Sequence, residues 1–161
     1  MNQQDSKNIP PSQGADASRI ETLLTRNLPE VFGEGDPARR RAAIEELYTE
    51  DCVLYVPPGT IAGHDALDKF AGDLRATHPH FVYTPHGAPQ ALHNSGRLAW
   101  GSGPKGEAPV YTGVDFIIAR DGKIAALMFA LTRRPRSFAK RKKIQLTNGH
   151  SVQRAGHPSE D

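Results

Sequence analysis

The chain has 161 residues, 24% of them charged and only 7% aromatic, which suits one domain with an aliphatic core. Long apolar runs and a basic-then-apolar leader are both missing, which argues against a membrane span and a secretory signal, and the lone Cys52 excludes an internal disulfide and thiolate-rich zinc sites. The net charge of +2 hides a split: residues 17–132 carry eleven Lys and Arg against fourteen Asp and Glu, residues 133–161 eight against two, so the basic pI near 8.8 argues for a basic tail rather than a nucleic-acid-binding fold.

Residues 1–17 are polar and contain Pro10-Pro11 and Gly14. They bury too little apolar surface to offset the entropy of ordering and read as a disordered lead. Ser18 with Glu21 forms a capping box that opens a helix. Ile20, Leu23, Leu24, Leu28 and Val31 follow at helical spacing. Pro29 kinks this helix, and Gly33 and Gly35 end it. Asp36-Pro37 starts a second helix, with Ala43, Ile44, Leu47 and Tyr48 as its buried stripe and Arg39, Arg40 and Arg41 on its solvated side.

Residues 52–56 form a short β-branched strand, stopped by Pro57-Pro58-Gly59. Gly63-His64-Asp65 opens a third helix with Leu67, Phe70, Ala71 and Leu74 on one face. Strands then take over. Residues 81–84 form one, and 90–93 and 97–101 flank a tight turn at Asn94-Ser95-Gly96. Residues 103–109 read as a loop. Residues 110–119 and 123–131 form the clearest hairpin, turning at Asp121-Gly122. From Thr132 onward no apolar period is sustained. Helices followed by a strand meander predict an α+β domain over 18–132, its helices on one face of an antiparallel sheet, followed by a disordered basic tail over 133–161.

Three stretches carry a family likeness: Leu47-Tyr-Thr-Glu-Asp-Cys-Val-Leu-Tyr-Val-Pro-Pro58, Ile61-Ala-Gly-His-Asp-Ala-Leu67 and Thr112-Gly-Val-Asp-Phe-Ile-Ile-Ala-Arg-Asp-Gly-Lys-Ile124. In this order, residues 18–131 resemble the SnoaL-like, nuclear-transport-factor-2-like superfamily, in its polyketide-cyclase and ketosteroid-isomerase branch. The resemblance implies a cone-shaped α+β barrel, with three helices packed on a strongly curved, mostly antiparallel sheet around a pocket. It also implies a homodimer. It leaves the activity open, because the fold hosts enzymes and non-catalytic modules alike.

Asp115 is the sharpest candidate for chemistry. Alternation puts Tyr111, Gly113, Asp115 and Ile117 on one face of their strand, and Val110, Thr112, Val114, Phe116 and Ile118 on the other. A carboxyl group on a pocket-facing apolar strand has its pKa raised by desolvation, which suits general acid work near neutral pH. The alternative places Asp115 on the outer face, in water or in a dimer contact. The resemblance implies that Asp115 falls where ketosteroid isomerases place the acid that hydrogen-bonds the developing oxyanion. It also implies that the isomerase base corresponds to Val56 and the oxyanion tyrosine to Leu28, so two of three catalytic groups are absent.

The same resemblance turns Val56, Leu127, Phe129 and Leu131 inward as pocket walls, with ordinary core as the alternative for each. Trp100 and Tyr111, each with a polar tip on an apolar body, can stack on or hydrogen-bond a ligand; a dimer contact is the other reading for Trp100. His78, His80, His86 and His93 lack a carboxylate or thiolate at ligand spacing, so no metal site is expected, and His64 reads as a helix-start residue. Cys52, in its Val and Leu context, reads as buried and inert. The tail packs seven basic residues into 133–143, open to reading as a nuclear-import-like signal, as an anionic-surface contact or as a solvated, disordered end.

Besides a nucleic-acid or trafficking adaptor acting through the tail, which composition alone supports, two readings of function follow. One is a small-molecule cyclase or isomerase acting without a cofactor on an apolar carbonyl compound, with Asp115 as general acid or base. The other is a non-catalytic module for hydrophobic-ligand binding or dimerisation. Partners would be a hydrophobic small molecule and a second copy, with no membrane and no nucleic acid. The expected place is the cytoplasm, or the nucleus if the tail is an import signal.

Overall fold

The computed structural model describes residues 11–133. Residues 1–10 of the polar lead and 134–161 of the basic tail, with the import-like reading of that tail, lie outside the described residues.

Helix α1 (Pro11–Asn27) begins seven residues before Ser18. Ser18 lies inside it, where its carbonyl accepts from the Thr22 hydroxyl at 2.9 Å. Polar residues extend a helix cheaply once its nucleus is anchored, and here Ile20, Leu23 and Leu24 are buried. Pro29 offers no amide hydrogen, and the chain continues as a π-helical turn, Leu28–Phe32, closed by the Gly33 N–H on the Leu28 carbonyl at 2.7 Å. That turn buries Leu28, Val31 and Phe32, each side chain contributing about 1.5–3 kcal/mol by leaving water.

Helix α2 (Pro37–Leu47) is capped by Asp36, whose carboxylate accepts the Arg39 N–H at 2.8 Å. Arg40 corrects the expectation that all three arginines face solvent: it is 7% exposed. Gly72 on helix α3 (His64–Thr77) leaves room for it, since a Cβ there would stand 2.9 Å from Arg40 Nη2. Asp68 at 2.7 Å and the Glu34 carbonyl at 3.2 Å satisfy the buried guanidinium.

Strand β1 (Tyr48–Val56) starts directly after α2, and Pro57-Pro58 is a turn into β2 (Gly59–Ala62), a strand that the proline-based stop conceals. The rest are β3 (Phe81–Pro85), β4 (Gln90–Leu92), β5 (Ser95–Pro104), β6 (Tyr111–Arg120) and β7 (Lys123–Arg133). The turn before β5 sits one residue early, at His93 with φ 54°, so Ser95 and Gly96 are already in the strand. The β6–β7 hairpin turns at Asp121 and Gly122, whose φ angles of 54° and 73° are the left-handed pair a two-residue hairpin favours.

The sheet runs β2-β1-β7-β6-β5-β3, with β4 also on β5. Only the β1–β7 pairing is parallel among these described strands. The curved sheet does not close on itself, and the helices complete the cone-shaped α+β fold. Its core joins Leu23, Leu28 and Phe32 to Leu54, Leu98, Trp100, Leu127 and Phe129.

Candidate functional site

Burial along β6 alternates as the strand period demands: Gly113, Asp115, Ile117 and Ala119 face inward, Phe116 and Ile118 outward. Asp115 is 1% exposed. Its Oδ1 accepts the Trp100 indole N–H at 2.8 Å, and its Oδ2 accepts the Asn27 amide at 3.1 Å. The Tyr48 hydroxyl donates to Asn27 Oδ1 at 2.6 Å, which turns the amide nitrogen toward Asp115. All four side chains are buried.

Burial pushes the Asp115 carboxyl up to about 7, against the pull of the Trp100 and Asn27 hydrogen bonds, which favour the charged form. Among the described residues no cation is bonded to it. Burial, followed by the nearby Asp115 and Cys52, holds the Tyr48 phenol well above its ordinary value, so Tyr48 remains a hydrogen-bond donor.

Each member of this chain of hydrogen bonds comes from a different element. Asn27 ends α1, just before the π-helical turn. Tyr48 is the first residue of β1. Trp100 lies on β5 opposite Gly113 of β6. A Cβ on Gly113 would stand 2.3 Å from the indole and 2.7 Å from the Ala130 carbonyl, so the glycine lets the ring lie across β6 and aim its N–H at Asp115.

Beside this network is a cavity of about 230 Å³. Phe70 and Leu74 of α3 form one side; Tyr83, Trp100 and Phe129 line the sheet side. Trp100 lies 4.9 Å from Phe129 and 5.3 Å from Tyr83 between ring centres, and Phe129 packs on Phe32 at 5.2 Å. Burial and then the charge of Asp115 raise the Tyr83 phenol to about 12, while Ser102 and Arg75 oppose the rise.

A family model, described as a SnoaL-like domain, matches residues 25–127. The chain belongs to the SnoaL-like family. Similar solved structures are one assigned to an isomerase of the SnoaL-like family from Agrobacterium tumefaciens (20% identity, 72% of this chain and 99% of that one, TM-score 0.67) and one assigned to a ketosteroid isomerase from Kribbella flavida (17% identity, 88% and 93%, TM-score 0.57). A cystatin-like-fold protein of unknown function from Methylobium petroleophilum is also similar (14% identity, 89% and 97%, TM-score 0.58). At these identities the likeness shows the fold. No curated protein matches the chain.

Within this SnoaL-like domain, Trp100, Tyr111, Phe129 and Leu131 line the cavity. Val56 and Leu127 do not; they are buried in the core at 8% and 1% exposure. Asp115 is not on the cavity wall either, and Trp100 is the side chain that touches both the carboxyl and the cavity. Val56 and Leu28, at the positions the resemblance assigns to base and oxyanion tyrosine, are buried apolar residues.

Asn27, Tyr83 and Arg75 are additions that the sequence reading did not single out; Tyr48, expected on the buried stripe of the second helix, is buried but opens β1 instead, because α2 ends at Leu47. Asn27 had a signal: it falls on the stripe Leu23, Leu24, Leu28, Val31, where a polar side chain needs a buried partner. Cys52 is fully buried, and burial raises its thiol. His64 Nε2 lies 3.2 Å from the Tyr48 carbonyl, a structural contact at the start of α3. Among the described residues no three His, Cys, Asp or Glu side chains gather as a metal-ligand set.

Proposed function

We propose that this SnoaL-like domain is an isomerase or cyclase that acts without a cofactor on a small apolar carbonyl compound, with Asp115 as its general acid or base. The observation that carries this reading is a buried carboxyl group titrating near neutrality, one hydrogen bond from an apolar cavity wall. In its protonated form it can donate to a carbonyl oxygen; ionised, it can take a proton from the adjacent carbon. Reaching substrate requires the Trp100 indole to yield Oδ1, so ligand entry and acid exposure are coupled at one side chain.

The test is exchange of the hydrogens beside the carbonyl of a small ketone, phenylacetone, in deuterium oxide, followed by NMR. Asp115→Asn keeps the shape and removes the proton transfer. Its exchange rate should fall by about 10²-fold or more. Exchange equal to wild type would overturn the acid role.

A second reading has one observation in its favour: Asp115 lies off the cavity wall. Here the domain binds a hydrophobic ligand without turning it over, and Asp115 serves to orient Trp100. Ketone binding without catalysed exchange in the wild type would favour it. In either reading a second copy of the chain covers the outer sheet face. There Tyr55, Met128 and Phe116 form an exposed row across β1, β7 and β6.

A further inference from the structure

Among the described residues that line the cavity, Arg75 supplies the one guanidinium and His78 the one imidazole, and no Asp, Glu or Lys is present. Building on the reading of this cavity as a ligand site, we propose that its ligand is a monocyclic-sized apolar compound carrying a carboxylate, and that the carboxylate pairs with Arg75.

Arg75 stands in the last turn of α3. Its Nη1 donates to the His78 carbonyl at 2.9 Å and to the Phe81 carbonyl at 3.0 Å, which pins the guanidinium against the chain that leads into β3. Its Nε is buried beside Gly35, where a Cβ would stand 3.8 Å from it, and has no hydrogen-bond partner among the described residues. Among the described residues no carboxylate lies within ion-pair distance of it; Arg26, Arg39, Arg40, Arg41 and Arg120 have one, and Arg19 and Arg97, which also lack one, make exposed hydrogen bonds to the Gly122 carbonyl and the Gln90 amide oxygen. A surface crevice on its other side contains Asp65, Asp68 and Asp73, but these are engaged by Arg41, Arg40 and Lys69.

A half-buried guanidinium without an anion is costly, and a forked carboxylate is the ligand group that matches it best. Its charge reaches into the cavity: it opposes the rise of the Tyr83 phenol. The remaining walls are hydrocarbon and aromatic, with Phe70, Trp100 and Phe129 offering ring faces and edges. Volume sets the size. A cavity of about 150 Å³ takes up benzene. The 230 Å³ here therefore admits one ring with a short side arm, and not a fused tetracycle.

The experiment uses the full chain and its one tryptophan, Trp100, whose fluorescence reports occupancy because the ring is part of the wall. The probes are 3-benzoylpropionate, an aryl ketone with one carboxylate, and its methyl ester. In the wild type the acid should bind at least tenfold more tightly than the ester. Arg75→Gln should erase that preference while keeping the ester's affinity, and Arg75→Lys should keep part of it. Equal binding of acid and ester by the wild type, or an undiminished preference in Arg75→Gln, overturns the carboxylate assignment and leaves the cavity reading standing. If neither probe changes Trp100 fluorescence, the cavity is not a site for such ligands, and this inference falls with it. Because the wild-type comparison decides by itself, a variant that fails to fold does not blunt the test.

Discussion

Asn27 and Asp115, 88 residues apart in the chain, meet at 3.1 Å in the core, and Tyr48 fixes which end of the Asn27 amide faces the carboxyl. The amide is therefore a relay with both ends occupied, and its removal strips Asp115 Oδ2 and the Tyr48 hydroxyl of their partner while Oδ1 keeps the Trp100 N–H.

Asn27→Leu fills the same space with hydrocarbon and strands Asp115 Oδ2 and the Tyr48 hydroxyl. The expected loss is about 1–3 kcal/mol for each stranded group, read by urea denaturation. Adding Tyr48→Phe should recover part of it, because the second orphan disappears. A double variant no more stable than the single would contradict the relay.

The pH dependence of stability carries a signature of Asp115. Its carboxyl titrates near 7 in the folded state against an ordinary 3.8, so between these values the folded chain holds a proton that the unfolded chain has released. Stability therefore falls as pH rises through this window. The contribution is complete below about pH 4 and lost above about pH 7, with a span on the order of 4 kcal/mol. Asp115→Asn should flatten that part of the curve relative to wild type in denaturant melts from pH 4 to 8. Parallel curves would show that the carboxyl titrates normally. Asn27→Leu should instead move the window upward, since it removes a hydrogen bond that favours the charged form.

Gly113 is the position where backbone and indole meet. Gly113→Ala places a methyl group 2.3 Å from Trp100 and 2.7 Å from a backbone oxygen, so the ring must move. A loss of roughly 1–3 kcal/mol is expected, together with a shifted Trp100 emission maximum as its N–H leaves Asp115. An unchanged spectrum would mean that the indole is not held by this fit.

The exposed row on the outer face gives a prediction about assembly. Met128 is 50% exposed between Tyr55 and Phe116. If a second copy covers this face, the wild type should sediment as a dimer. Met128→Lys should shift it to monomer through an unpaired buried charge. A wild type that is monomeric at high micromolar concentration would remove the dimer from the proposal.

Local pattern was enough to put Asp115 on one strand face with Gly113 and Ile117, to find the Asp121-Gly122 hairpin, and to establish helices before a strand meander. These depend on near neighbours in the chain: side-chain alternation, caps and turn residues act over a few positions. Tertiary structure decided, through burial, that this face of β6 is the inward one, and what surrounds the carboxyl. That Asn27 and Trp100 reach it, that Arg40 is buried over Gly72, and that Arg75 rather than Val56 or Leu127 borders the cavity all follow from strand register and sheet curvature. Those set which distant residues share a wall, and no short-range period encodes them.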